Sequence, residues 1–143
     1  MKDNIYAKFM TEKNSLVDYY SCCLVNKKKN NKEIMNDSNL LYSSTNIGKI
    51  IIWDLDLKIN INIIDSDLDD LYKIINFNEK YLISCSQYSS IIIIDVNQNK
   101  IVTNIKTKEY FGIVSIKKLF HPKYKESFLT CGRNDSIKLW SLI

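Results

Sequence analysis

Glycine, proline, histidine and arginine are almost missing from these 143 residues: three glycines, one proline, one histidine and a single arginine, Arg133. Gly48, Gly112 and Gly132 are too scattered to build a loop that cradles phosphate. The lone histidine, His121, sits beside Pro122 and has no serine or cysteine partner identifiable by motif. No CxxC pair is present, so zinc-site spacing is absent too. No apolar stretch approaches the ~18 residues of a membrane span. The start, Met1 to Lys8, carries no apolar signal block. These absences together give the expectation of a soluble intracellular protein, cytoplasmic or nuclear, with no membrane contact. No catalytic residue, metal or cofactor is expected, and the chain is not read as an enzyme.

The formal charge is +4, carried almost wholly by lysine. Lysine, asparagine and isoleucine are inflated together, which is the mark of coding bias rather than of a basic surface. Nucleic-acid sites draw on arginine for bidentate contacts, so direct nucleic-acid binding is not expected. Asn26 to Asn39 is a lysine- and asparagine-rich low-complexity stretch, read as a solvated loop. No aromatic residue interleaves with its lysines, so base stacking has no platform there. Cys22, Cys23, Cys85 and Cys131 are read as free thiols, with Cys85 and Cys131 packed mid-strand as small buried hydrophobes. Asp65 to Asp70 begins like a calcium loop, but Asp70 and Asn76 stand where glycine and glutamate are needed. It reads instead as an acidic connection.

What is abundant is isoleucine, and it recurs with a period. Leu41 to Asp54, Leu82 to Asp95 and Phe128 to Ser141 superpose without a gap. Each is an apolar strand, a short polar turn and a second apolar strand ending on a bulky anchor. The anchors are Trp53, Ile94 and Trp140, spaced 41 and 46 residues apart. A period of this size marks stacked supersecondary units. Another strand-like run precedes each segment: Leu16 to Val25, Leu71 to Phe77 and Ile113 to Phe120. Alternating strands, Lys58 to Ile64 and Lys100 to Lys106, follow the first two and read as half-exposed. With so few glycines, asparagine and aspartate are expected at the left-handed turn positions.

These units resemble the WD-repeat family, whose repeats form the blades of a β-propeller. Gly48 to Leu55 and Asp135 to Leu142 are close to the family's repeat ending, and Ile91 to Val96 is a weaker copy. The small-residue runs Ser43 to Thr45, Ser84 to Ser86 and Thr130 to Gly132 also fit, as does His121-Pro122 at the end of an inner strand. The resemblance implies an all-β fold: a partial β-propeller of about three four-stranded antiparallel blades, the last lacking its outer strand. One partial-propeller domain would span 1–143. Blade one covers about 16–64 with the loop 26–39, blade two about 71–106, and blade three about 113–143.

Three units cannot close a ring, so completion by another chain or by missing sequence is expected. The family's turn aspartate, which pairs with a histidine, is replaced by Ile47, Tyr88 and Asn134. The expectation is therefore that these blades rely on apolar packing alone. The resemblance also implies a non-catalytic scaffold for protein–protein interaction within a larger complex. The alternative is a component of an RNA-processing or ribosome-assembly complex with weak electrostatic RNA contact. Partners would meet the loops between blades and the turns between middle strands. There the protein-binding candidates are Tyr88, Arg133, Asn134, Gln87, Asp67 and Asp69, with Asn46, Ile47 and Lys106 to Tyr110 alongside.

Overall fold

The computed structural model describes residues 17–27, 38–107, 112–133 and 136–142. Every regular element among them is a strand. The first sheet runs β1 (Tyr19–Lys27), β2 (Ser38–Thr45), β3 (Lys49–Asp54) and β4 (Ile59–Asp65), in that spatial order. The second repeats the meander with β5 (Leu71–Asn76), β6 (Tyr81–Ser86), β7 (Ser90–Asp95) and β8 (Lys100–Lys106). The third has β9 (Ile113–Leu119), β10 (Ser127–Gly132) and β11 (Ile137–Ser141), and among the described residues no outer strand. All pairings are antiparallel. The fold is an open partial propeller.

Local chemistry explains the turns. Asp54 accepts the backbone N–H groups of Asp56 and Leu57 at 2.9 Å. Asp95 does the same for Asn97 and Gln98, at 2.8 and 3.0 Å. An aspartate directly after the anchor thus folds the chain back into the outer strand. Four residues after each aspartate the backbone turns left-handed at equivalent places, Lys58 with φ 60° and Asn99 with φ 49°. Asp67, Asp70 and Asn99 fill such positions as expected, but Lys58 and Ser89 also do. Their neighbours hold them there despite the unfavourable side chain.

The sheets stack face to face. Tyr42, Ile50 and Ile52 of blade one pack against Leu82, Ile92 and Ile94 of blade two. Ile83, Cys85 and Ile91, on the opposite face of blade two, pack with Ile116 and Phe128 of blade three. Phe128 stacks on Trp140 with ring centroids 6.3 Å apart, and meets Phe77 edge-on at 5.8 Å. Strand β7 is buried along its whole length because a blade covers each of its faces. The exposed, alternating pattern of β11 marks the blade at the end of the arc.

Three expectations need correction. The blades do not rely on apolar packing alone. Trp53 Nε1 donates to Ser43 Oγ at 2.8 Å, and Trp140 Nε1 donates to Thr130 Oγ1 at 2.8 Å. Hydroxyls at the small-residue positions satisfy the anchor indoles without a histidine or an aspartate. Cys131 is only half-buried, since it faces away from blade two. And β4 is exposed rather than half-exposed: Ile59, Ile61 and Ile63 all reach solvent.

Candidate interaction surface

The loops between blades and the turns between middle strands converge on one rim. A run of backbone bonds ties them together. Asn46 N–H donates to Asp18 O at 3.0 Å, Asp70 N–H to Asn46 O at 3.2 Å, and Gln87 N–H to Asp70 O at 3.0 Å. Two glycines make the close approaches possible. Gly48, at φ +68°, lies against the Leu68 carbonyl, and Gly112, at φ +78°, lies against that of Gln87. A Cβ at either place would collide with backbone. The Thr107 hydroxyl and amide both donate to Ser89 O, at 2.8 and 2.7 Å, fixing the next loop.

On this fixed backbone the side chains point outward. Tyr88 is 65% exposed, and Ile47, its equivalent one repeat earlier, is also exposed. Gln87 is half-buried beside Gly112. Asp67 and Asp69 are exposed in the connection from β4 to β5. Tyr20 donates its hydroxyl to Asp70 Oδ1 at 3.1 Å and stacks obliquely on Tyr72. Accepting that bond, the Asp70 carboxylate raises the Tyr20 phenol above its ordinary range. Arg133 is exposed on the turn after β10. The structure thus gathers Gln87, Tyr88, Asp67, Asp69 and Asp70 around blades one and two, with Arg133 on blade three. Asn134 and 108–110 lie outside the described residues.

The anchors sit inside instead. Trp53 is 3% exposed, Ile94 is fully buried and Trp140 half-buried. Desolvation pushes the Cys85 thiol up to about 12, so it is a packing group with no thiolate to offer. Among the described residues no three histidine, cysteine or acidic side chains gather as a metal site.

One surface escaped sequence reasoning. The stretch from Lys117 to Lys125 interleaves four lysines with Phe120 and Tyr124. Phe120 is 83% exposed, with the Lys118 ammonium 5.2 Å from its ring centre. Lys123 lies 5.4 Å from the Tyr124 ring. A groove of about 460 Å³ runs from Phe120 past Lys118 and Lys117 to Lys73. The alternation of lysine and aromatic is visible in the sequence, but it is less conspicuous there than the lysine- and asparagine-rich run at 26–39.

No known family model matches the chain, and no curated protein does. Solved structures match it well. The chain is similar to the RRP9 WD40 repeats, with a TM-score of 0.69 and 14% identity, over 91% of this chain and 37% of that one. It has the fold of a partial WD40 propeller. It is also similar to a chain in the crystal structure of an active polycomb repressive complex 2 in the basal state, with a TM-score of 0.72, 15% identity, and coverage of 92% and 27%. The chain therefore spans well under half the length of the WD40 structures it matches. At these identities the likeness is one of fold.

Proposed function

We propose that this chain is a non-catalytic scaffold that docks protein partners on its rim, within an intracellular assembly in cytoplasm or nucleus. The partial propeller, 1–143, acts as one unit and needs no cofactor. The observation that carries the reading is Tyr88: a large side chain, mostly exposed, on a turn whose backbone is fixed by the Gln87–Asp70 bond and by Gly112. Tyrosine presented from rigid backbone offers contact area at little entropic cost. Arg133 adds a planar, permanently charged fork on the neighbouring blade, and Asp67 and Asp69 supply the opposite charge. Replacing Tyr88 and Arg133 with alanine should abolish capture of a partner and leave the strand circular dichroism intact. Unchanged capture would remove both from the surface.

A second reading, weak RNA contact as part of a processing or ribosome-assembly complex, is favoured by the segment 117–125. Lysines beside the exposed Phe120 and Tyr124 combine phosphate charge with stacking rings. Salt separates the two readings. Binding to phosphate weakens steeply as salt is added, while docking through Tyr88 does not.

A further inference from the structure

Two edge strands meet where blades two and three join. β5 and β9 each have a single neighbour within their own sheet, β6 and β10 respectively. They pack beside one another, and the groove of about 460 Å³ follows the seam between them. Ile75 of β5 and the buried Ile116 of β9 line it with apolar surface. It lies away from the rim. β9 leaves the rim at Ile113, next to the contact of Gly112 with Gln87, and Phe120 follows its far end.

The cations of the groove come from both blades and do different things. Lys73 of β5 and Lys117 of β9 are exposed, and among the described residues neither makes an ion pair. Glu126, just before β10, accepts instead from Asn78 Nδ2 at 3.1 Å. Lys118 is already engaged. Its ammonium donates to the Phe77 carbonyl and lies 5.3 Å from the Phe77 ring centre and 5.2 Å from that of Phe120. It therefore holds the Phe120 ring in place. Phe120 is nonetheless 83% exposed, so the rest of its ring is free to stack. The groove thus has two unpaired point charges and, at its end, one fixed aromatic platform.

We infer that this groove is a site for single-stranded RNA, with backbone phosphates on Lys73 and Lys117 and one base stacked on Phe120. The inference rests on the RNA reading above and narrows it. The site belongs to two blades rather than to segment 117–125 alone, and it takes an unpaired strand with little regard to sequence. Lysine serves phosphate as a point charge, and charge tracking a backbone beside a stacking ring is how single strands are held. A base inside a duplex is already stacked on its neighbours and cannot reach the ring. Scarce arginine argued against such a site in the sequence. Lys73 and Lys117 are far apart there and meet only in the fold.

The experiment is fluorescence anisotropy of a labelled oligouridine about ten nucleotides long, titrated with the 143-residue chain at several salt concentrations. Two phosphate contacts predict a slope of log K against log salt of about −1.4, at about 0.7 for each contact with a single strand. Lys73→Gln and Lys117→Gln should each make the slope shallower by about 0.7. Phe120→Ala should weaken binding about ten-fold and leave the slope alone. Lys100→Gln, the same charge change on the exposed strand β8, should alter neither. All three groove side chains are exposed, and circular dichroism checks that the variants stay folded. If Lys117→Gln and Phe120→Ala weaken binding while Lys73→Gln does not, the groove is overturned and the RNA reading at 117–125 stands. No binding by the wild-type chain would overturn both. Equal binding of duplex RNA, or equal competition by polyglutamate, would overturn the assignment to an unpaired RNA strand.

Discussion

The indole N–H of Trp53 donates to the hydroxyl of Ser43 at 2.8 Å, and ten residues separate donor and acceptor in sequence. Trp140 repeats the bond to Thr130 at the same spacing and distance. Strand pairing explains it. Ser43 pairs with Ile51 and Leu41 with Trp53, so Ser43 and Trp53 share one face, two residues apart along the sheet diagonal. Loss of the Ser43 hydroxyl removes an acceptor from a buried N–H. Ser43→Ala should cost about 1–3 kcal/mol, read from urea denaturation. Thr130→Ala should cost less, because Trp140 is only half-buried.

Ile94 tests the packing between blades. It replaces the expected tryptophan and is fully buried between blades one and two. Ile94→Ala should destabilise by about 2–5 kcal/mol. Val102→Ala, on the exposed outer strand, should stay within about 0.5 kcal/mol. Comparable losses at the two positions would contradict the stacking.

Alkaline pH should weaken the fold. Desolvation pushes Cys23 and Cys85 up to about 12 from 9, and Tyr42 up to about 12 from 10. The folded state keeps these groups neutral while the unfolded chain ionises. Their contribution is complete below pH 9 and is lost as pH rises toward 12, at up to about 1.4 kcal/mol per pH unit for each group. Urea midpoints should therefore fall between pH 8 and 10.5, and Cys85→Ala should flatten that fall. In native protein at pH 8 a thiol reagent should label the exposed Cys22 and leave Cys85 intact until denaturant is added.

Glycine at the rim is required sterically. Gly112→Ala would drive a methyl group into the Gln87 carbonyl and demand a strained φ. It should lower the melting temperature and weaken capture at Tyr88 as well. An unchanged melting temperature would mean that the loops are not held together as described.

The repeat was legible because buried strands must be apolar on both faces, and the runs at Ile50 to Ile52 and Ile91 to Ile94 announce that locally. So was the shorter sheet of blade three, which has three strands among the described residues. The indole–hydroxyl pairs were not legible. Ser43 and Thr130 looked like small packing residues, and their acceptor role depends on strand register. The exposure of Ile59, Ile61 and Ile63 was hidden for a different reason. Alternation shows that one face of β4 is apolar, but which face meets a neighbour is decided by the order of the blades. Lys58 and Ser89 at positive φ had no local signature. Of the candidate site, the turn residues Gln87 and Tyr88 followed from the repeat. Their fixation by Asp70 and Gly112 is a long-range contact that no local pattern encodes.

The most direct test of the rim as a docking surface is site-specific photocrosslinking in the cells that make the protein. A photoreactive phenylalanine analogue placed at Tyr88 should yield a discrete protein adduct on illumination. The same group at Val102, exposed on the outer strand of the same blade, should yield none. Adducts at neither position, or equal adducts at both, would contradict the assignment.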